Sequence, residues 1–296
     1  NGMEFDPDAM DDRARSSQKG DEKNLSNRDN QNLSPQQRQL QEQPPNLFQT
    51  FIRRTKGRLL PIYGQSLFQR NNPFGERQVA PVPSEYVVGP GDEILLKIYG
   101  STIDFDQRLV VDRQGMVVLP KVGPFAVAGV KVGELERLLK GRISKVLTNF
   151  NLFATMGQLR GIEVYVVGQA MRPGKYVVSS LSTLINALFA TGGPNANGTM
   201  RNIQLVRDSK VIATVDLYDF LGKGDTSKDR RLLSGDVINV GTVGPQIAIL
   251  GAVPTPAVYE LKPGTSTTTL KEILTLAGGL QIQTSILEGS LERVDP

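Results

Sequence analysis

Residues 162–178 read IEVYVVGQAMRPGKYVV, which predicts two β-strands joined by a turn. Every second residue at the start of this segment is apolar, as in a strand with one buried face, and Gly168 then interrupts the strand. Pro173-Gly174 favours a turn, because proline fixes φ and glycine accepts a positive φ. Tyr176 lies in the second strand.

A short helix is expected after this pair of strands. Ser180 or Ser182 is a suitable N-cap, and Gly192-Gly193 ends the helix, since glycine tolerates the left-handed backbone of a helix terminus. Two more strands are predicted to pair across Asp208-Ser209, and residues 236–240 form a last strand. The buried face of the helix is predicted at Leu184, Ile185, Leu188 and Phe189.

The same pattern returns further along the chain. The strand and turn positions recur 83 residues later, as Gly251, Pro256 and Tyr259. The helix positions recur 86 residues later, as Leu270, Leu274 and Gly278-Gly279. So many matches in the same order indicate an internal repeat. We expect the second copy to be truncated and the native chain to continue past Pro296.

A different folded unit precedes the repeats. Gly89-Pro90-Gly91-Asp92 has the residues of a tight turn, and residues 94–98 then alternate as a half-buried strand. Residues 109–111 and 116–119 flank the turn formed by residues 112–115, which predicts a hairpin. A helix over 132–147 and a strand over 152–156 complete this unit.

The first part of the chain differs in composition from the rest. A polar arm over residues 1–46 is too poor in apolar side chains to fold alone, so we expect it to be disordered or extended. Residues 47–83 form a docking segment and linker, whose apolar side chains are expected to pack on a folded unit. The folded units are predicted at 84–159, 160–242 and 243–296.

Composition excludes much catalytic chemistry. The 296 residues include no His and no Cys, which removes thiol nucleophiles, histidine bases, and zinc or iron–sulfur ligation. We therefore predict no enzyme activity, no cofactor and no metal. Net charge is +4, but the basic residues are spread along the chain and aromatic residues are only 6%, which argues against nucleic-acid binding. No apolar run approaches the ~20 residues of a membrane-spanning helix.

The glycines, aspartates and tyrosines of these motifs are expected first to have structural roles. The glycines are predicted to form turns and helix ends, and Asp92, Asp112 and Asp236 to cap local backbone. Tyr176 and Tyr259 are tentative sugar contacts, because aromatic rings at equivalent repeat positions could stack on sugars. Core packing of both rings, with the hydroxyl at the surface, is the alternative.

The unit from Tyr86 through Gly123 resembles the polysaccharide biosynthesis/export domain. The repeats resemble SLBB (soluble ligand-binding β-grasp) domains, in particular through Val167-Gly168, Pro173-Gly174, Tyr176 and Gly192-Gly193. In that order, the domains resemble the outer-membrane polysaccharide export family. The resemblance implies an α+β fold: a small export domain over 84–159 followed by tandem β-grasp domains.

The resemblance also implies a function and partners. Members export capsule or exopolysaccharide and form periplasmic homo-oligomeric rings, commonly octamers, that stack into a conduit associated with the outer membrane of Gram-negative bacteria. It implies contacts with the polysaccharide in transit and with an inner-membrane polysaccharide co-polymerase. Because this chain has no Cys for a lipid anchor and stops within a repeat, contact with the outer membrane is expected through elements outside it.

Two other interpretations remain open at the level of sequence. One is a periplasmic module that binds a soluble ligand, which a defined small-molecule pocket and monomeric behaviour would favour. The other is a carbohydrate-active enzyme, which would need two carboxylates converging in one cleft.

Overall fold

The computed structural model describes residues 44–68, 81–100, 104–264, 268–280 and 289–292. The chain divides into two compact units, Asn1–Pro61 and Ile62–Pro296. Most of the predicted arm lies outside the described residues. No helix in the described ranges is both long enough and apolar enough to cross a membrane.

In the part of the smaller unit that the structure describes, residues 44–61, Leu47–Lys56 form helix α1. Asn46 starts it with a capping box, in which its side chain accepts from Gln49 N and the Gln49 side chain accepts from Asn46 N. Gly57 ends the helix in the left-handed conformation. The Gln49 amide then donates to the Leu60 carbonyl over 2.8 Å, which holds the chain after the helix against its first turn.

The larger unit begins with Ile62 and a 3₁₀ helix, Gln65–Phe68. Ile62 forms a parallel bridge with Val258, and Tyr63 N donates to the Val258 carbonyl. The Phe68 ring lies 5.2 Å from the ring of Phe189. This part of the predicted docking segment is therefore packed in the core formed by the repeats.

A three-stranded antiparallel sheet comes next, in the order β2-β1-β5. Its strands are β1 (Glu93–Gly100), β2 (Asp104–Val110) and β5 (Phe150–Met156), with the hairpin β3 (Met116–Leu119) and β4 (Gly123–Ala126) between β2 and β5. Helix α2 (Val132–Ile143) buries Leu135, Leu139 and Ile143. These side chains join the buried strand residues, such as Ile94 and Leu96, in one hydrophobic core.

Two sequence predictions for this unit were wrong in detail. The turn at residues 112–115 forms, but β2 pairs with β1, and β3 pairs with β4. The expected ladder between β2 and β3 does not form: β2 pairs along its length with β1, where Leu109 lies opposite Ile94, and β3 pairs with β4. Helix α2 ends at Ile143 rather than at residue 147.

The first repeat forms a five-stranded mixed sheet in the order β7-β6-β10-β8-β9. Its strands are β6 (Gly161–Gly168), β7 (Gly174–Ser179), β8 (Gly198–Arg207), β9 (Lys210–Val215) and β10 (Val237–Thr242), with helices α3 (Leu184–Thr191) and α4 (Leu217–Lys223). The predicted pairing across Asp208-Ser209 is confirmed. The N-cap of α3 is Thr183 rather than Ser180 or Ser182, because Thr183 forms a capping box with Asn186.

The second repeat contains β11 (Gln246–Ile249), β12 (Ala257–Glu260) and α5 (Leu270–Leu276). Val164 lies opposite Tyr176 in the first repeat, and Ile247 lies opposite Tyr259 in the second, so the strand register is the same. Thr269 caps α5 with Glu272, as Thr183 caps α3. Side chains of both repeats contribute to one continuous core. The predicted α+β fold, with a separate first unit before two copies of one strand-and-helix pattern, is confirmed.

Candidate functional site

The buried carboxylate of Asp92 lies where the export unit meets the first repeat. Asp92 ends the turn that starts at Gly89, and its side chain has no solvent exposure. Oδ2 accepts from Gly89 N over 2.8 Å, which closes the turn. The hydroxyl of Tyr86 donates to the same carboxylate at 2.8–2.9 Å. The turn at residues 89–92 therefore also places the Asp92 carboxylate in the interior of the protein.

Arg160 and Ser180 connect this carboxylate to the following repeat. Arg160 donates from its backbone N to Oδ1 over 2.8 Å and from Nη1 to Oδ2 over 2.9 Å. Ser180 Oγ lies 2.8 Å from the Tyr86 hydroxyl, and Ser180 N donates to the Arg160 carbonyl. We call these four residues, Tyr86, Asp92, Arg160 and Ser180, the Asp92 joint. It ties the first folded unit to the residue before β6 and the residue after β7 of the first repeat.

Burial raises the pKa of Tyr86 to about 12, and its hydrogen bond to the Asp92 carboxylate acts in the same direction. The phenol therefore stays protonated and remains a donor at ordinary pH. With four donors already directed at it, the Asp92 carboxylate has neither access to solvent nor a free position for substrate. This arrangement suits a structural joint rather than an acid–base catalyst.

A second buried carboxylate, Glu260, joins the two repeats. Its Oε1 accepts from Thr199 Oγ1 over 2.6 Å and from Gly244 N over 2.9 Å, and its Oε2 accepts from Met200 N over 2.7 Å. Glu260 lies at the end of β12, whereas Thr199 and Met200 belong to β8 of the first repeat. The carboxylate therefore attaches the strand pair of the second repeat to the sheet of the first.

Aromatic and charged groups surround this second joint. Tyr218 accepts a hydrogen bond from Glu260 N over 2.8 Å, and burial raises the pKa of Tyr218 well above its usual value. The guanidinium of Arg201 lies 4.6 Å from the Tyr218 ring centroid and pairs with Asp216 at 3.0 Å. These contacts satisfy the polar groups that the two repeats bury between them.

A third buried carboxylate, Asp236, repeats the geometry of Asp92 inside the first repeat. It accepts from Leu233 N three positions earlier over 2.7 Å, and from Arg207 Nε and Nη2 at 2.7 and 2.8 Å. The hydrogen bond to Asp236 raises the pKa of Arg207. Among the residues that the structure describes, no three acidic side chains group closely enough to hold a metal ion.

The structure places the predicted glycines at turns and close approaches. A side chain at Gly89 would overlap the guanidinium of Arg160, and one at Gly168 would overlap the Val240 carbonyl of the neighbouring strand. Left-handed backbone occurs at the remaining glycines, which are Gly91, Gly174, Gly192, Gly193, Gly251, Gly278 and Gly279. Pro90 is an exposed residue within the first turn. These positions are spread over the molecule and do not converge on one site.

The two tyrosines have different environments. Tyr259 has no exposed surface, stacks on Tyr63 at 4.9 Å, and donates to the Thr255 carbonyl. The tentative sugar contact does not fit Tyr259, because no face of its ring is accessible. Tyr176 makes the equivalent bond to the Arg172 carbonyl but is only half-buried, so a sugar contact there stays a prediction.

Sequence reasoning missed the residues that complete the joints. Arg160 and Glu260 follow no motif, and Ser180 was singled out only as a possible helix cap. Their partners lie 60 to 94 residues away in the sequence. A weak signal existed only at Asp92 and Asp236, which were both predicted to cap local backbone.

Comparison with known proteins agrees with this architecture. Residues 80–156 match the family of polysaccharide biosynthesis/export proteins, and residues 163–240 and 246–291 each match the SLBB domain. The chain therefore carries a polysaccharide biosynthesis/export domain followed by two SLBB domains.

Three relatives with similar sequences are named as polysaccharide transport or export proteins. The chain is 32% identical over 194 residues to the polysialic acid transport protein KpsD of Escherichia coli, covering 65% of this chain and 34% of that protein. It is 27% identical over 180 residues to the capsule polysaccharide export outer membrane protein CtrA of Neisseria meningitidis, covering 61% and 45%. It is 26% identical over 185 residues to the Vi polysaccharide export protein VexA/TviF of Salmonella typhi, covering 61% and 50%. The chain thus spans about a third to a half of the length of these relatives.

Proposed function

We propose that this chain is a non-enzymatic subunit of a machinery that exports capsule polysaccharide or exopolysaccharide. One observation carries the proposal: the match to the polysaccharide biosynthesis/export domain is followed along the chain by matches to two SLBB domains. The names of KpsD, CtrA and VexA/TviF, all transport or export proteins, support it.

Disruption of the gene in its native host tests this proposal. Surface polysaccharide, measured with a lectin or antibody on intact cells, should fall and should return when the gene is restored. Permeabilised cells should still contain the polymer. Unchanged surface polysaccharide in the disrupted strain would contradict an export role.

We infer that copies of this chain assemble side by side into a ring, with an octamer as the expected size. Two properties of the export unit support lateral assembly. Strands β2 and β5 are the edges of its described sheet, and exposed strand edges favour pairing with a neighbour. Its outward face also exposes Tyr99, Val110 and Phe153. Native mass spectrometry should therefore detect a multiple of 32.3 kDa, whereas a stable monomer would contradict the ring.

The absence of catalysis is part of the same proposal. The buried carboxylates Asp92, Asp236 and Glu260 are each engaged by several donors, which supports a structural role for all three. Incubation with the host polysaccharide should leave its chain length unchanged on size-exclusion chromatography. Turnover that disappears on replacing a single carboxylate would contradict this proposal.

We place the chain in the periplasm, associated with the outer membrane and in contact with an inner-membrane co-polymerase. The name of the CtrA relative, an outer membrane protein, supports the first part. Cell fractionation and crosslinking to inner-membrane proteins test both parts. Recovery of the chain in the cytoplasm would contradict them.

A further inference from the structure

A shallow groove runs along the exposed side of helix α2 in the export domain. It has a volume of about 350 Å³ and is lined by residues of the helix from Glu134 to Arg142 and by Lys145 just after its end. None of the predicted site residues lines it. The groove is thus separate from both the Asp92 joint and the repeats.

Positive charge predominates in this groove. Arg137, Arg142 and Lys145 line it, against the single carboxylate of Glu134. All three cations are exposed, and none of their side chains forms a hydrogen bond or ion pair with another described residue. Arg137 and Arg142 are five residues apart in α2, or about 7.5 Å along the axis at the helical rise of about 1.5 Å per residue, and Lys145 follows two residues after the helix ends. The groove therefore presents three unpaired positive charges along the last turns of α2 and the residues that follow it.

Gly141 lies in the last turn of α2 and lines the groove between Arg137 and Arg142. A Cβ at this position would meet no atom within 4 Å, so no packing constraint requires glycine there. Glycine inside a helix lowers its stability relative to alanine or leucine. The effect of Gly141 in the folded protein is to leave the groove open between the cations.

The half-buried side chains of Val130 and Leu138 provide an apolar part of the lining. An open apolar surface between separated cations suits a pyranose ring that bears a carboxylate, because the ring has an apolar face and the carboxylate pairs with Arg. A chain of such sugars can also reach the cations at both ends of the groove. We propose that this groove binds acidic sugar residues of the exported polysaccharide. This inference rests on the proposed export function and names its substrate class.

Binding of a defined probe to the 296-residue chain tests the proposal. Fluorescently labelled sialic-acid oligomers serve as the acidic polysaccharide, dextran of similar length as the neutral one, and poly-glutamate as an acidic polypeptide. The sialic-acid oligomers should bind with an affinity that falls as salt is added, and dextran should not compete. Equal competition by dextran would overturn the proposal. So would poly-glutamate binding more tightly than the sugar oligomers, since the groove would then be a docking site for an acidic protein.

A triple variant locates the binding. Arg137→Gln, Arg142→Gln and Lys145→Gln together should weaken binding by about tenfold, as expected for three exposed charge contacts. The matched control replaces Arg113, Lys210 and Arg230 by Gln, which changes net charge equally at exposed positions outside the groove. Its affinity should stay within about twofold of the wild type. Equal losses in both triple variants would mean nonspecific attraction and would overturn the proposal.

The variant Gly141→Leu distinguishes a loss of binding from a loss of stability, because it should lower the affinity without destabilising the fold. Leucine favours the helix and fills the groove, so this variant should have a higher thermal midpoint but weaker binding of the sialic-acid oligomers. Unchanged affinity in this stabilised variant would contradict a site in the groove. If gene disruption lowers surface polysaccharide while the triple groove variant exports and binds normally, the groove proposal fails and the export proposal stands.

Discussion

Arg160 donates from Nη1 to Oδ2 of Asp92 over 2.9 Å, although the two residues are 68 positions apart. The carboxylate is fully buried, and the arginine side chain is about one-third exposed. The pair therefore connects the turn that opens the export domain with the segment that leads into the first repeat.

Asp92→Asn should destabilise the protein by about 3 kcal/mol in urea unfolding. The amide keeps the shape of the side chain, but it removes the charge that four donors surround and leaves the arginine without its partner. Asp112→Asn is the matched control, because Asp112 also accepts two backbone amides but is exposed. Its replacement should cost about 1 kcal/mol or less. Similar losses in both variants would show that burial and the arginine contribute little.

Gly193 and Gly279 occupy equivalent positions in the two repeats but should differ on replacement by alanine. Both have left-handed backbone, with φ of 70° and 85°, so each variant should lose about 1 kcal/mol from backbone strain. A Cβ at Gly193 would also overlap the ring of Phe68, whereas a Cβ at Gly279 would meet nothing within 4 Å. The expected losses in urea unfolding are about 3 kcal/mol for Gly193→Ala and about 1 kcal/mol for Gly279→Ala.

The contact with Phe68 can be tested within the same series. Adding Phe68→Ala to Gly193→Ala should cost less than the sum of the two single changes, because the smaller side chain removes the overlap. Additive losses would mean that the Phe68 ring does not lie against Gly193.

The repeats could be predicted from sequence because their signals are local. Alternation in β6, the Pro173-Gly174 turn and the Gly192-Gly193 helix end each depend on a few neighbouring residues. The 83-residue offset then transferred the assignment to the second copy. Tyr176 and Tyr259 even make the same bond to a carbonyl four residues earlier.

Features that depend on distant residues could not be predicted in this way. The turn at residues 112–115 was correctly placed, but its flanking strands pair with other strands, β2 with β1 and β3 with β4, and the choice of partner is not encoded in the turn itself. Ser180 was a reasonable cap by residue type, yet Thr183 caps the helix and Ser180 contacts Tyr86. In the joints, the sequence indicated an aspartate in a turn but gave no information about the arginine that pairs with it.

Glu260→Gln should loosen the attachment of the second repeat. The carboxylate accepts three hydrogen bonds from Thr199, Met200 and Gly244, and an amide nitrogen would face at least one of these donors. We expect a loss of about 2–3 kcal/mol and faster hydrogen exchange in β11 and β12. Glu163→Gln, which breaks an exposed pair with Lys175, should change stability by less than about 1 kcal/mol. Unchanged exchange in β12 of the Glu260 variant would contradict the role of this joint.

Tyr86→Phe should change how stability depends on alkaline pH. In the folded protein the Tyr86 pKa is raised from 10.0 to about 12, so the unfolded chain releases this proton first. The contribution of the phenol is thus fully present below pH 10 and is lost as the pH rises toward 12. Wild type should exceed the variant by about 1 kcal/mol at pH 8, because of the hydrogen bonds of the phenol. The difference should shrink between pH 10 and 12 in urea unfolding, and a constant difference would contradict the assignment.

The central claim is that this chain moves polysaccharide rather than makes or modifies it. The most direct measurement is a pulse of radiolabelled sugar in cells rapidly depleted of the protein, followed by a time course of label inside the cell and on its surface. The account predicts that labelled polymer is made at the normal initial rate and length but reaches the surface more slowly. Normal arrival at the surface, or a changed polymer length with normal arrival, would contradict it.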